Sequence, residues 1–531
     1  MATTQQGASE SGDQSGDQSG DQSFDKPEHI KSLAMIRTRT LVGINAVPVM
    51  VEVHLANGLP SFSTVGLPET AVKESKDRVR GAILNSGFEF PAKRITVNLA
   101  PADIPKTGGR FDLPIAIGIL MASEQLPAVN VDQWEMLGEL ALDGRLRRVS
   151  GVLPTALACA ESQHQLVVPR DNAKEAGLVE NGCCWHAEHL LDVCRHLSGR
   201  GDMSLCETGA IDECGISSYP DLSDVKGQKH AKRALEIAAS GEHSLLFIGP
   251  PGTGKSMLAS RIPGILPNLT LDEALETAAI QSVSNGDFCS DSWRVRPFRN
   301  PHHSASSVAL VGGGSNPKPG EISLAQNGVL FLDELTEFSR AALEQLREPL
   351  ETGKINIARA NQSVQYPAKF QLITACNPCK CGFLGDGTDR CRCSAVSVES
   401  YRGKLSGPML DRIDMHIHLP RVDLKTLQKK DHNIETSEQI KQRVAHIRDI
   451  QLQRQNKLNS HLSSKELEQY CVLSDELLGF LETVCEKLNM SARAYHRILK
   501  LARTIADMSH ENNINKAHLS EAIGYRGMDR Q

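Results

Sequence analysis

The chain has 531 residues, 40% of them hydrophobic, a length that suffices for about three units with hydrophobic cores of their own. Its formal net charge of −6 excludes a protein that is basic over its whole surface, although a ring can be acidic outside and basic in its pore. No apolar run is long enough to span a bilayer and no apolar segment follows a basic start, so we expect a cytoplasmic protein without membrane contact.

Residues 1–30 form a tail of unusual composition. Between Ser11 and Ser23 the sequence repeats Ser-Gly-Asp-Gln three times, without an apolar side chain to bury. Such a segment cannot offset the entropy of ordering its backbone. The composition therefore predicts a disordered tail over residues 1–30.

Residues 31–200 alternate β-rich and helical stretches. Val49–Leu55 and Arg94–Leu99 are typical of strands, and Glu69–Ser86 is typical of a helix. We therefore predict an α+β domain, followed by a linker over residues 201–222.

Two segments of this domain, Pro105–Pro114 and Gly138–Arg145, resemble the Lon protease fold. Arg110 stands where that pattern has its serine nucleophile, and Gly151–Thr155 lacks the lysine base. The resemblance thus implies a non-proteolytic domain for building a ring or binding DNA. Lys106 and Arg110 are either phosphate contacts or ordinary surface charges.

A glycine-rich loop opens the third unit, predicted over residues 223–422. The apolar run Leu245–Ile248 precedes it, and an apolar helix start follows it. This context predicts a nucleotide cradle for ATP, in which backbone N–H groups hold phosphates, Lys255 reaches the β- and γ-phosphates and Ser256 binds Mg²⁺. The cradle comprises Gly249, Pro250, Pro251, Gly252, Thr253, Gly254, Lys255 and Ser256.

Two later strands supply polar groups for hydrolysis. The apolar run Gly328–Leu332 ends in Asp333, a predicted Mg²⁺ ligand, and Glu334, a predicted base for the attacking water. The strand Phe370–Ala375 leads to Asn377, which orients the water or senses the γ-phosphate, or else is a turn residue before a proline.

Between these motifs lie two candidate DNA contacts. The segment Trp293–Arg299 is inserted between the phosphate loop and the strand that ends in Asp333. It mixes basic and aromatic residues and is followed by His302 and His303. A β-hairpin is predicted from Lys354–Arg359, a turn and Ser363–Tyr366, with Lys354 and Arg359 gripping a phosphate backbone. The alternatives are solvated loops for both and a metal site for the two histidines.

Five cysteines lie within residues 376–393. Cys379, Cys381, Cys391 and Cys393 form two Cys-x-Cys pairs around a glycine-rich loop, and Cys376 belongs to the preceding strand. The pairs predict a structural zinc site without catalysis at the metal, because four protein ligands leave no position for water. An iron–sulfur cluster and redox-sensitive thiols stay open as alternatives.

Arginines near the end of this unit are candidates for phosphate contacts. Arg412 is predicted to stabilise charge on the phosphate of a neighbouring subunit.

Residues 423–531 are predicted to form a helical lid, with Ile440, Val444 and Ile447 on the apolar face of a basic helix. Arg493 and Arg497 lie four residues apart on a later helix of this lid, so that either is positioned to fold over the nucleotide. Ser491 is that helix's predicted N-cap. Surface salt bridging is the alternative for these arginines.

Several of these segments together resemble the magnesium-chelatase-like AAA+ ATPases, specifically the ComM/YifB competence family. The resemblance runs from about Ser32 to the end of the chain. It rests on the following segments: Asn300–Ser306, Gly312–Gly314, Pro319–Ala325, Gly328–Leu335, Ser406–Asp414 and Ala502–Asp507.

This resemblance implies a bacterial hexameric motor that moves branched recombination intermediates during natural transformation. Its expected partners are single-stranded and branched DNA, further copies of the chain and recombination proteins. The fold class is then α/β: a Lon-like α+β domain, a central AAA+ P-loop ATPase domain and a C-terminal helical lid.

The sequence leaves two other functions to compare with this one. A chelatase-type subunit would use ATP to remodel a protein partner, but the N-terminal domain and the cysteine loop are foreign to such subunits. A Lon-like protease is contradicted by Arg110 and the missing lysine.

Overall fold

The computed structural model describes residues 32–127, 131–180, 184–207, 219–285, 293–314, 317–359, 362–422 and 434–526. The tail predicted over residues 1–30 lies outside them, as do residues 208–218 of the predicted linker. The turn at Ala360 and Asn361 and the side chain of Arg359 lie outside them as well.

An eight-stranded mixed sheet forms the N-terminal α+β domain, in the order β10-β9-β8-β5-β1-β2-β4-β3. Val49, Val51, Val53 and Leu55 alternate with more exposed residues, so one face of β2 lies in the core. The strands of the sheet are β1 (Leu33–Val42), β2 (Asn45–Ala56), β3 (Ser61–Val65), β4 (Arg94–Ala100), β5 (Trp134–Met136), β8 (Gln165–Pro169), β9 (Cys184–Ala187) and β10 (Ser204–Leu205). A separate pair consists of β6 (Glu139–Leu140) and β7 (Leu146–Arg147).

Helices cover this sheet, and the one at Asp112–Ala122 is the most apolar. Ten of its eleven residues are buried, as expected of a helix that is hydrophobic on all sides. Gly118 permits its close approach to the sheet, because an added Cβ would lie 2.6 Å from Val53 Cγ2. The other helices are Thr70–Lys73, Ser75–Asn85, Val152–Glu161, Ala173–Ala176 and Leu190–Leu197. The predicted strands are thus confirmed, whereas the predicted helix over Glu69–Ser86 is two helices.

The two cations of the Lon-like segment are buried. Lys106 is 0% exposed and its Nζ donates to the carbonyl oxygen of Pro101. Arg110 is 4% exposed and donates to the carbonyl oxygens of Arg39 and Ser150, while burial lowers its pKa to about 10. Neither is a surface charge, and both bind backbone rather than a phosphate.

The central domain contains a five-stranded sheet in the order β12-β15-β18-β11-β19, in which every pair is parallel. Because helices cover both faces of such a sheet, its central strands are expected to be buried and mostly apolar. Every residue of β11 and β15 is buried. The strands are β11 (Leu245–Ile248), β12 (Phe298–Arg299), β15 (Gly328–Leu332), β18 (Phe370–Cys376) and β19 (Met415–His418).

Short helices and two β-pairs surround this sheet. The helices are Lys229–Gly241, Lys255–Ala259, Ile262–Ile265, Leu271–Asn285, Ser307–Val311, Glu321–Leu324, Arg340–Glu344, Arg347–Thr352, Ala395–Arg402 and Gly407–Leu410. The pairs are β13 (Gly312–Gly313) with β14 (Lys318–Pro319), and β16 (Lys354–Arg359) with β17 (Gln362–Pro367). The second pair confirms the predicted hairpin.

The C-terminal region is helical, as predicted. Its helices are Ser437–Gln455, Ser464–Tyr470, Asp475–Lys487, Ala492–Met508 and Lys516–Gly524. Ser491 caps the fourth by accepting a hydrogen bond from the backbone N–H of Ala494, so the predicted N-cap is confirmed. Arg448, one of the charged residues of the first helix, is only 8% exposed and donates to the carbonyl oxygen of Ala239. The described residues contain no helix long and apolar enough to cross a membrane.

Arg110→Ala should destabilise the fold. It empties a buried site and leaves two carbonyl oxygens without their donor, so the free energy of unfolding should fall by about 2 to 4 kcal/mol. Thermal and urea unfolding of the full chain measure this loss, with the exposed Arg145→Ala as the control. Unchanged stability combined with weaker DNA binding would contradict the structural role.

Candidate functional site

The phosphate loop leaves β11 at its carboxyl end and leads into the helix that begins at Lys255. Gly252 and Gly254 have φ angles of +77° and +89°, which favour glycine. A Cβ added at either position would meet no described atom within 4 Å. The loop thus has the backbone shape and the open concave side that a phosphate chain requires.

Lys255 is buried within this loop. Its Nζ donates to the carbonyl oxygens of Gly249 and Pro250, at 2.7 and 3.1 Å, and to Oδ1 of Asn377 at 3.1 Å. Burial lowers the pKa of Lys255, with nearby Asp333 opposing that shift. The ammonium therefore joins the phosphate loop to the segment after β18.

The predicted Mg²⁺ ligands lie against each other. Ser256 Oγ donates to Asp333 Oδ2 at 2.5 Å, and the backbone N–H of Glu334 donates to Asp333 Oδ1 at 2.9 Å. A hydroxyl and a carboxylate are the oxygen ligands that Mg²⁺ accepts beside phosphate oxygens. The residues present therefore fit ATP with Mg²⁺.

Glu334 has a partner that the sequence did not suggest. Nδ1 of His303 lies 3.0 Å from Glu334 Oε2. β12 is the edge strand beside β15, so the segment after β12 reaches the same carboxyl edge of the sheet as Glu334. The ring of His302 lies 4.1 Å from that of His303. The two histidines, predicted as DNA contacts, thus border the ATP site.

Two basic residues before these histidines, Arg296 and Arg299, form hydrogen bonds within the fold. Arg296 is buried and donates to the carbonyl oxygens of Pro267 and Asn327, both at 2.6 Å. Arg299 makes two 2.7 Å hydrogen bonds to the carboxylate of Glu321. Both arginines are therefore engaged within the protein, in contrast to their predicted role in binding nucleic acid.

The hairpin β16–β17 presents one face to the core. Ile355, Ile357, Val364 and Tyr366 are buried, whereas Lys354 is exposed. Lys354 is thus free to meet an external phosphate backbone, as a DNA contact requires.

Arg412 and Arg493 share one carboxylate. Arg412 Nη2 lies 2.6 Å from Glu351 Oε1, and Arg493 Nη2 lies 3.7 Å from the same oxygen. Arg412 is 9% exposed, whereas the side chain of Arg493 is 57% exposed. Arg497 is held apart from them in an ion pair with Asp414.

These arginines lie at the opposite edge of the sheet from the phosphate loop. Ser244, which precedes β11, donates to Asp414 and to the carbonyl oxygen of Arg412. β11 is four residues long, which separates its two ends by about 13 Å. Arg493 therefore sits with Arg412, and its contact with a nucleotide stays a prediction.

The cysteine loop forms a compact cluster. The four Sγ atoms of Cys379, Cys381, Cys391 and Cys393 lie within 4.8 Å of one another, and none of these cysteines is in a disulfide. The backbone N–H of Phe383 faces Cys381 and lowers the pKa of that thiol to about 6. Among the described residues this is the only group of three or more potential ligands, so the alternative of a metal at the two histidines gains no support.

Comparison with known proteins matches three segments of the chain to family models. Residues 221–427 match the family model of the magnesium chelatase subunit ChlI, residues 51–172 match a second model of that subunit, and residues 434–526 match a model of its C-terminal part. Competence protein ComM of Haemophilus influenzae is 52% identical over 503 residues, which cover 94% of this chain and 98% of that protein. The chain belongs to the ComM/YifB family.

Two further relatives show how far the similarity of this ComM/YifB chain extends. YifB of Escherichia coli, described as uncharacterized, is 50% identical over 499 residues, or 94% of this chain and 98% of that protein. The 67 kDa subunit of magnesium chelatase from Heliobacterium mobile is 27% identical over 204 residues, or 33% of this chain and 30% of that subunit. The resemblance found in the sequence is thereby confirmed, and the ComM/YifB family, as a magnesium-chelatase-like AAA+ group, implies ATPase activity with ATP and Mg²⁺.

His303→Ala should raise ATP turnover in the absence of DNA. The imidazole restrains the carboxylate that is predicted to accept a proton from water, and a half-exposed contact of this kind is worth up to about 1 kcal/mol. The expected rise is therefore up to about fivefold. Steady-state phosphate release measures it, with His302→Ala as the matched control. A fall in turnover would show instead that His303 aligns Glu334.

Proposed function

We propose that this protein is an ATP-driven, ring-forming DNA motor, a branch-migration helicase that promotes recombination of incoming DNA in natural transformation. Support comes from the fit of ATP and Mg²⁺ to the carboxyl edge of the central sheet and from the similarity to competence protein ComM over 94% of the chain. A cytoplasmic location and contact with recombination proteins accompany this proposal.

The observation that carries the ring is the position of Arg412 and Arg493. A phosphate loop at one edge and two arginines at the other cannot meet within one subunit, but they meet when subunits associate head to tail. Such an interface repeats around a closed ring, which we propose to be a hexamer. Each site would then consist of one subunit's phosphate loop and its neighbour's two arginines.

Within that site the roles follow from position. Lys255 exchanges its carbonyl partners for phosphate oxygens, and Ser256 and Asp333 hold Mg²⁺, which neutralises charge on the phosphates. Glu334 accepts the proton of the attacking water, and Asn377, bonded to Lys255, orients that water or senses the γ-phosphate. The backbone of Gly249, Pro250, Pro251, Gly252, Thr253 and Gly254 lines the phosphates.

DNA would be gripped by Lys354 and Arg359 on the hairpin β16–β17, with His302 and His303 near the same path. His303 would then report DNA contact to Glu334 through their 3.0 Å contact. This arrangement would make hydrolysis depend on DNA.

We propose the following domains: residues 1–30 as a tail, 31–200 as a non-proteolytic Lon-like domain, 201–222 as a linker, 223–422 as the ATPase and 423–531 as the helical lid. Burial of Arg110 at the position of the Lon serine supports the absence of proteolysis, because a buried guanidinium bonded to backbone leaves no nucleophile there.

A chelatase-type subunit that remodels a protein partner is the second candidate. The match of residues 51–172, 221–427 and 434–526 to chelatase models favours it, and the first of these matches weakens the objection that the N-terminal domain is foreign to such subunits. It predicts ATP hydrolysis that ignores DNA.

The proposed motor is tested by ATP hydrolysis with and without single-stranded and four-way branched DNA, with branch dissociation followed on a gel. We expect DNA to raise turnover, and we expect the wild type but not Glu334→Gln to dissociate the branch. Removal of a general base should lower turnover by about a hundredfold or more. Hydrolysis that ignores DNA would favour the protein-remodelling function.

Mixing two inactive variants tests the shared site. Arg412→Ala keeps the phosphate loop and Glu334, whereas Glu334→Gln keeps both arginines. In an equimolar mixture roughly one interface in four combines an intact Glu334 with an intact Arg412 of the neighbouring subunit. We therefore expect turnover to reappear on mixing. If the mixture stays as inactive as its components, Arg412 acts within its own subunit or not at all.

A further inference from the structure

The four-cysteine cluster has the dimensions of a tetrahedral thiolate site. The Sγ atoms of Cys379 and Cys381 are 3.4 Å apart, those of Cys379 and Cys391 are 3.8 Å apart, and those of Cys381 and Cys391 are 3.7 Å apart. Zinc–sulfur bonds of about 2.3 Å in tetrahedral geometry place sulfurs about 3.8 Å apart. The thiols therefore stand where one zinc ion would hold them.

The loop that carries these thiols has few buried side chains that could stabilise its conformation. Gly382, Gly385 and Gly387 have positive φ angles, and in residues 380–393 only Gly382 is buried. A segment that buries so little side chain is ordered by metal binding rather than by a core. Cys379, which is 0% exposed, is the one ligand embedded in the domain.

This loop packs directly on the nucleotide site. Cys379 follows Asn377 and Pro378 in the chain, and Asn377 accepts a hydrogen bond from Lys255 Nζ. A Cβ added at Gly382 would lie 2.8 Å from Cδ of Pro251 and 3.9 Å from Cγ of Asn377. The cysteine loop therefore lies against Pro251 of the phosphate loop and beside the side-chain amide of Asn377, which binds Lys255.

We propose that Cys379, Cys381, Cys391 and Cys393 bind one zinc ion, and that this ion braces Asn377 and Pro251, so that nucleotide binding depends on zinc. The inference rests on the nucleotide site of the proposed function and not on DNA. Without zinc the loop loses its shape, Lys255 loses a fixed partner and the phosphate loop loses its lateral support. Zinc acts here as structure, because four thiolates leave no position for water.

The first measurement is the metal content of the purified full chain, by elemental analysis. One zinc per chain is expected, and iron with sulfide or an absence of metal would overturn the proposal. Binding of a fluorescent ATP analogue is then measured without DNA, on the zinc-bound chain, on chain stripped of zinc and returned to Mg²⁺, and on stripped chain after zinc is restored. We expect about tenfold weaker binding after stripping and recovery on reconstitution. Equal binding in all three would overturn it.

Variants distinguish the effect of losing zinc from the effect of disturbing the contact between the cysteine loop and Pro251. Cys381→Ser and Cys393→Ser should lose zinc and bind the analogue weakly, whereas Cys485→Ser, in a C-terminal helix, should change neither property. Gly382→Val keeps all four ligands but places a side chain against Pro251, so it should retain zinc and still weaken nucleotide binding. Full binding by Gly382→Val would overturn the brace. Because no DNA is present, these results stand apart from failure of the motor function.

Discussion

The ATP site depends on the ammonium group of Lys255, which is held by two carbonyl oxygens of its own loop and by the amide oxygen of Asn377. Desolvation opposes a buried cation, and the three oxygen acceptors offset that cost. Through this one group the loop after β11 and the segment after β18 are fixed relative to each other. The loop of cysteines that follows Asn377 is placed by the same contact.

The parallel sheet imposes a second constraint. Its strands all run the same way, so every loop that follows a strand reaches one edge, and the phosphate loop, Asp333 and Asn377 meet there. The segment before β19 must lie at the other edge, and it carries Arg412. The strands are short but still separate the two groups by more than a side chain's reach. The proposed association of subunits would bring the two groups together.

The N-terminal domain is packed against two parts of the ATPase domain. The β1–β2 turn is in contact with the β16–β17 hairpin: a Cβ added at Gly43 would lie 2.5 Å from Val364 Cγ1, and Val42 and Ile44 pack on the same core. On another side, Gly151 donates its backbone N–H to Ser282 at 3.2 Å, on the helix that leads toward the inserted segment. The N-terminal domain therefore contacts both the hairpin and the helix Leu271–Asn285.

Local sequence was enough to predict the phosphate loop, the acidic residues after β15, the hairpin and the N-cap at Ser491, because each depends on residues close together in the chain. It also indicated the four cysteines, whose spacing closes a short loop. It did not reveal the contact of His303 with Glu334, the burial of Lys106, Arg110 and Arg448, or the pairing of Arg412 with Arg493. Charge and pattern look the same for a solvated cation and for one bonded to distant carbonyl groups. Only the tertiary structure decides between them, since it brings together groups far apart in the chain and sets which of them water can reach.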